Sequence, residues 1–252
     1  MGHGPMAHRR RLISVASVEE LHTVTSRRDF LRLVAAGGAL ALLPSLAVAC
    51  ADEQLTDVGT AGSGDSTVID FAKGDTALLQ FALVLEQLEA DFYSRVVAGF
   101  TGSNITAIEQ AVLTEIRDHE LAHRDLLREV LGADGGFTIR PIYSGLSFGD
   151  RAAVLARAKS FEELGVGAYN GMARYFSSAS NLSLAAKIVS VEGRHASTIG
   201  SLLSPRGSDF APKALDDALA LDTVAASAQA FIIDRLAFAN APVAASSGST
   251  NA

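Results

Sequence analysis

The sequence predicts an all-α protein: a bundle of four helices with one long crossover and an additional C-terminal helix, over residues 68–240. Three observations predict it. The composition is rich in Ala and Leu, with 6 prolines and no tryptophan, a profile that leans helical. Four stretches carry apolar residues at alternating intervals of three and four, the period of a helix with a buried face. The connections between them run short, long, short, which joins two helical hairpins by a diagonal strap. At 252 residues the chain holds one sizeable domain with appendages, or two small ones.

The chain begins with an address, residues 1–50. Ser26-Arg27-Arg28-Asp29-Phe30-Leu31 precedes a run without charge from Leu33 to Ala49, closed by Ala47-Val48-Ala49-Cys50. A twin arginine ahead of a moderately apolar stretch ending in small residues resembles a twin-arginine export signal. The competing reading is a membrane-spanning helix, for which 17 residues including Gly37, Gly38 and Pro44 are marginal. Two processing outcomes stay open. Ala47-x-Ala49 suits ordinary signal cleavage. Cys50 suits a lipoprotein box, in which Ala47 stands where a larger aliphatic is usual. Cys50 is the chain's single cysteine and the candidate for lipidation and a membrane tether. The expected location is the periplasm or cell envelope. The twin-arginine route is associated with proteins exported already folded, often with a metal or cofactor in place. Residues 1–25 form a preamble with no motif of their own.

Charge narrows the partners. The net charge is −7, but from Ala51 onward there are 15 Lys and Arg against 25 Asp and Glu, a net of −10. Such a surface suits neither nucleic acid nor anionic lipid and attracts cations. One cysteine excludes an intrachain disulfide and a thiolate metal cluster.

Residues 51–67 are Gly, Ser, Thr and Asp with hardly an apolar side chain, and read as a flexible tether. Helical periodicity starts at Asp75, read as a cap, and Leu78, Phe81, Leu85, Leu88 and Phe92 form an apolar seam. Gly99 to Asn104 interrupts it. A second helix runs from Ile105 to Leu131, and the crossover from Gly132 to Gly149 contains Pro141 and is long for a compact domain. A third helix, capped by Asp150, reaches Phe176, and a turn over Ser177 to Asn181 leads into a fourth, ended by Pro205-Arg206-Gly207. Helices of about 25 residues are about 38 Å long. After Pro212 a further helix is expected over Leu221 to Phe238, and the Ala-Ser-Gly tail, 241–252, is expected to be disordered.

The candidate chemistry lies in a repeat. Glu120 and His123, within Arg117-Asp-His-Glu-Leu-Ala-His-Arg124, are three apart on one helix and leave the same face. Glu192-Gly-Arg-His195 is a second copy. Leu85-Glu-Gln-Leu-Glu-Ala-Asp-Phe-Tyr93 aligns with Phe161-Glu-Glu-Leu-Gly-Val-Gly-Ala-Tyr169, which pairs Glu86 with Glu162 and Tyr93 with Tyr169. The order Glu, Glu-x-x-His therefore occurs twice. Four buried carboxylates would repel one another and resist desolvation. Two divalent cations would convert that penalty into ligation, since four carboxylates and two neutral imidazoles balance two M²⁺. Ligands rich in oxygen, poor in nitrogen and without sulfur favour iron or manganese. This constellation resembles that of di-iron and di-manganese carboxylate bundles.

On Leu85-Glu86, the Glu120-to-His123 motif, Phe161-Glu-Glu-Leu-Gly-Val-Gly-Ala-Tyr-Asn-Gly171 and Val191-Glu-Gly-Arg-His195, the chain resembles the ferritin-like superfamily from Asp75 to Leu203, in particular exported bacterial ferritin-like domain proteins of the desiccation-related type. The resemblance implies that Glu120 and Glu192 bridge two metals, that Glu86 and Glu162 are terminal ligands, and that His123 and His195 bind one metal each. Glu163 is the rival of Glu162, about 100° away around the helix. Glu162 is preferred because it aligns with Glu86 and shares a face with Tyr169. Glu89 reads either as solvated or, being one turn from Glu86, as an extra ligand or an acceptor behind one. Glu109, Glu115, Glu129 and Glu163 read as solvated. Tyr93 and Tyr169 read as core aromatics with satisfied hydroxyls. His119, next to a ligand, is expected to face away.

Three functions follow. The first is a di-iron or di-manganese oxidoreductase acting on oxygen or peroxide, with ferroxidase, peroxidase and catalase-like chemistry all open. Rubrerythrins relay electrons through a cysteine-ligated iron, which one cysteine cannot build, so electrons come from outside. The second is a non-catalytic metal-binding or stress-protective envelope bundle. The third is a metal-free scaffold that meets a partner through the C-terminal helix. Ferritin-like bundles often pair, so a homodimer is an expectation.

Overall fold

The computed structural model describes residues 66–242. The export signal, Cys50, the tether up to residue 65 and the tail from residue 243 lie outside the described residues. The elements are β1 (Ser66–Asp70), α1 (Asp75–Ala98), α2 (Ala107–Leu131), α3 (Arg151–Met172), α4 (Ala179–Leu203), α5 (Leu221–Gln229) and β2 (Arg235–Ala239), with single 3-10 turns at Phe71–Lys73, Gly132–Gly135 and Ala173–Tyr175. The fold is the expected all-α bundle, with α1 packed on α2, α3 packed on α4, and residues 132–150 crossing between the pairs.

The helix starts follow from local chemistry. Thr106 accepts the backbone N–H of Glu109, while Glu109 reaches back to the N–H of Thr106, a capping box before α2. Asp150 accepts from the N–H groups of Ala152 and Ala153, and Ser178 from that of Asn181. Gly132 ends α2 at φ +54°, a conformation glycine adopts without steric cost. Asp75 differs from the expectation. It is the first residue of α1 rather than its cap, and its carboxylate accepts from the N–H groups of Ser177 and Ser178 at the start of α4, and from the Ser177 hydroxyl and the Asn181 amide.

Burial separates the helices into two kinds. On α2 the buried stripe runs Leu113, Ile116, Glu120, His123 and Leu127; on α4 it runs Ala185, Ile188, Glu192, His195 and Ile199. Each spacing is three or four, so the Glu-x-x-His residues occupy the face that would otherwise be apolar. In α1 every residue from Ala77 to Ala90 is buried, on both sides of the expected seam. The crossover covers its outer side: Gln87 accepts from Arg128 and from the Ile139 N–H, Gln80 donates to the Asp134 carbonyl, and Tyr143 donates to the Leu88 carbonyl at 2.9 Å.

The C-terminal region departs most from expectation. The helix expected over 221–238 stops at Gln229. The Gln229 amide donates to the carbonyls of Ile232 and Asp234 and accepts from the N–H of Leu236, folding the chain back on itself. The following Phe231-Ile232-Ile233 is rich in β-branched residues, and β2 pairs in parallel with β1, Ser66 opposite Arg235 through Asp70 opposite Ala239. Ser66 and Thr67, counted in the tether from sequence, therefore begin the folded domain. Phe238 completes an aromatic group with Phe71 and Phe81. Upstream of α5 the backbone of Leu219 lies directly on α3. A Cβ at Gly171 would sit 1.8 Å from the Leu219 carbonyl, so glycine is required there. No helix among the described residues is long and apolar enough to cross a membrane.

Candidate metal centre

The four long helices each contribute to one buried cluster. Glu86 comes from α1, Glu120 and His123 from α2, Glu162 from α3, and Glu192 and His195 from α4. The four carboxylates are fully buried, and the two imidazoles are 4 % and 5 % exposed. All six residues singled out in the sequence therefore meet in the interior. Donor atoms of Glu86, Glu120, His123 and Glu192 lie within 4.8 Å of one another, as do those of Glu120, Glu162, Glu192 and His195. The two quartets share Glu120 and Glu192.

The geometry repeats across the halves. His123 Nδ1 is 3.3 Å from Glu86 Oε2, 3.3 Å from Glu120 Oε2 and 3.0 Å from Glu192 Oε1. His195 Nδ1 is 2.8 Å from Glu120 Oε1 and 3.3 Å from Glu162 Oε2. The tyrosines cross between the halves: Tyr169 donates to Glu86 Oε1 at 2.5 Å, and Tyr93 donates to Glu162 Oε1. Glu86 and Glu162 thus each have one oxygen held by a hydroxyl and the other aimed into the cluster.

Those inward atoms carry the electrostatic problem. Glu86 Oε2, Glu120 Oε1, Glu162 Oε2, both oxygens of Glu192 and His195 Nδ1 are buried without a hydrogen bond. Several approach each other at ion-pair distance without the alignment of a hydrogen bond. Orphaned charged atoms on this scale are costly. Burial, then the charges of Glu120 and Glu86, pushes the Glu192 carboxyl well above its usual value, and burial with the Glu192 charge does the same to Glu89. Burial, against the pull of His123, raises Glu86 to about 7. Burial also acts on Glu120, but His123 and His195 overrule it and hold that carboxyl low. On the histidines burial opposes the charge, yet the carboxylates around His123 and His195 raise both well above the ordinary range. Burial and the adjacent glutamates keep Tyr93 and Tyr169 neutral, as donors. A cation would meet the orphaned oxygens and imidazole lone pairs together, so the donor set fits a metal.

Two residues, Glu109 and His119, stand elsewhere than the sequence reading put them, and for a third, Glu89, the structure decides between its alternatives. Glu89 is buried rather than solvated, and a Cβ on Gly165 would lie 3.3 Å from both Glu89 Oε1 and Glu192 Oε2. Its spacing of three from Glu86 was the signal. Glu109 is buried in its capping box and paired with Arg151 at 2.5 Å; Thr106-x-x-Glu109 is that box written in sequence. His119 is exposed yet touches the outer edge of the site, with its Nδ1 2.9 Å from His195 Nε2. It lies one turn before His123, and residues four apart share a face. Glu163 is exposed and paired with Lys159 at 2.8 Å, which leaves Glu162 alone in the cluster. Glu115 and Glu129 are exposed, as expected.

None of the curated proteins compared with the chain is similar to it. The model of the ferritin-like domain family matches residues 74–205, the span from the start of α1 to just beyond α4, which holds every residue of the cluster. That match covers more than half of the sequence, and the chain belongs to the ferritin-like domain family.

Proposed function

We propose that this is an exported dinuclear iron or manganese carboxylate protein, an oxidoreductase acting on dioxygen or peroxide. The observation that carries the reading is the pair of overlapping quartets with orphaned inward oxygens. Glu86, Glu120, His123 and Glu192 would hold one ion, and Glu120, Glu162, Glu192 and His195 the other, with Glu120 and Glu192 shared. Oxygen donors outnumber nitrogen donors and neither quartet contains a cysteine, which favours iron or manganese over zinc. Two such ions, when bound, supply the electrons that reduce dioxygen or peroxide. The chain's own part is positional and electrostatic. Tyr93 and Tyr169 fix the terminal carboxylates by crossing between the halves. The apolar helices around the cluster exclude bulk water, which strengthens every charge interaction inside. Glu89 stands beside Glu192 as a spare carboxylate, able to accept a proton or join a cation.

Export rests on the Arg27-Arg28 motif and the uncharged run behind it, and attachment to the envelope on Cys50. The desiccation-related kinship and a homodimer belong to the same reading. A non-catalytic envelope metal binder is the other outcome of one experiment. The chain is purified from its native host, its metal measured by elemental analysis, and peroxide consumption followed after loading with Fe²⁺ or Mn²⁺. About two ions per chain and steady turnover are expected from the paired quartets. The same stoichiometry without turnover assigns the binder, and a chain without affinity for either ion overturns the metal reading.

A further inference from the structure

His119 lies outside both quartets, yet it is the side chain that meets the far edge of a candidate ligand. His195 turns Nδ1 toward Glu120 and Glu162 and leaves Nε2 2.9 Å from His119 Nδ1. The ring planes differ by 10° and the centroids are 5.2 Å apart. That is close to the greatest separation two imidazoles can have while a nitrogen of each stays 2.9 Å from the other. The rings therefore meet edge to edge, in line, as an N–H···N bond requires, and do not stack face on face.

Such a bond has two polarities. With a cation bound His195 is neutral; were His119 Nδ1 then to donate, the His195 proton would have to sit on Nδ1, pointing at the Glu120 carboxylate and blocking the lone pair. If His195 Nε2 donates, the Nδ1 lone pair faces Glu120 and Glu162 and is free for a cation. His119 then holds its own proton on Nε2 and accepts on Nδ1. At the other candidate position the matching place holds no such neighbour. The residue before Glu120 is His119, whereas the matching residue before Glu192 is Val191, which has no nitrogen to offer.

We infer that His119 is a positioning residue that accepts from His195 Nε2–H, fixes the tautomer presenting Nδ1, and makes the two cation positions of this pseudo-symmetric centre unequal. The inference rests on the metal reading above. A group accepting the distal N–H of a ligating imidazole orients the ring and raises its basicity, and its loss typically costs about 10–100-fold in metal affinity.

The test titrates the metal-free full chain with Co²⁺, followed by its visible absorption, in wild type, His119→Ala and His119→Asn. Asn places an acceptor oxygen near the position of the histidine Nδ1. In His119→Ala one equivalent binds as in wild type while the other weakens by about 10–100-fold, and His119→Asn restores most of it. Two equivalents unaltered in His119→Ala, both weakened alike, or an Asn variant as weak as Ala overturns the assignment. A second measurement needs no variant. Nitrogen-15 NMR of the Zn²⁺-loaded wild type reads each imidazole tautomer, and 6 histidines make the spectrum assignable. His195 with its proton on Nε2 supports the inference; a proton on Nδ1 ends it. Wild type that takes up neither Co²⁺ nor Zn²⁺ overturns the metal reading, a failure distinct from one confined to His119.

Discussion

The two halves of the bundle each present three donors in the same order and differ at the residues beside them. Where α1 carries Glu89, the repeat places Gly165 in α3; where α2 carries His119, α4 carries Val191; where α1 begins with Asp75, α3 begins with Arg151. The donors are alike because each faces the same buried cluster. The neighbours diverge in complementary pairs. Glu89 fits because Gly165 has no Cβ to occupy the space its carboxylate takes. Asp75 binds the start of α4, and Arg151 reaches from the start of α3 to Glu109 and the Leu202 carbonyl, so opposite charges at matching positions tie the two hairpins together. A two-fold repeat is thus held to symmetry only at the atoms that converge.

The largest effect that would break this comparison is at a shared carboxylate. Glu192 belongs to both quartets and Glu86 to one. Glu192→Gln is expected to drop metal content from near two ions per chain to below one, and Glu86→Gln to about one, read by elemental analysis. Without metal the sign reverses, because a buried carboxylate crowded by Glu120 and Glu86 is removed. The metal-free Glu192→Gln protein should melt higher than metal-free wild type, by about 2–4 °C for each kcal/mol recovered. Equal metal loss in both variants would show that the quartets are not shared as the geometry indicates.

A smaller effect sharpens the Glu89–Gly165 pairing. Gly165→Ala places a methyl 3.3 Å from Glu89 Oε1 and Glu192 Oε2. Crowding of that kind costs roughly 1–3 kcal/mol, against which better helix propensity returns up to about 1 kcal/mol. A net loss is expected from Gly165→Ala alone. In the Glu89→Ala background the crowding is relieved on the Glu89 side and the same change should be near neutral or stabilising. Urea unfolding of the four proteins measures the coupling, and purely additive effects would mean that the two positions do not share the space.

How much of this was legible beforehand divides along physical lines. The six donors were readable because each sits on a stripe position of a long helix, where spacing alone fixes the face. Asp150 and the crossover were readable from turn chemistry. The C-terminal end was not, since Leu221 to Phe238 has helical composition until the Gln229 clamp and the pairing of β2 with β1 decide otherwise, and that pairing joins residues far apart in sequence. His119 and Glu89 were legible in spacing but judged by a rule of solvation. That rule fails for Glu89, which is buried, and for His119, which is exposed yet bonded to His195. Asp75 misled for a related reason: a cap was sought for its own helix, and its partners lie on another.

The smallest effect tests the ties at the hairpin ends by pH. Burial tends to raise the Asp75 carboxyl, but the bonds it accepts from Ser177, Asn181 and Ser178 lower it from 3.8 to about 2. A carboxylate depressed in the folded state stabilises the fold above its unfolded value and loses that contribution as pH falls through its folded value. The Asp75 contribution is therefore complete above about pH 4 and fades toward pH 2. Asp75→Asn should melt below wild type at neutral pH, and the gap should narrow over that window. Arg151→Gln should also melt lower at neutral pH, because it removes the partner of Glu109. Arg151 stays charged throughout, so any pH dependence of its gap comes from Glu109, which Arg151, against burial, holds below its ordinary value. A gap for Asp75→Asn that stays constant from pH 6 to pH 2 would mean that the amide makes the same bonds as the carboxylate, and that charge at this end of the bundle contributes nothing to joining the halves.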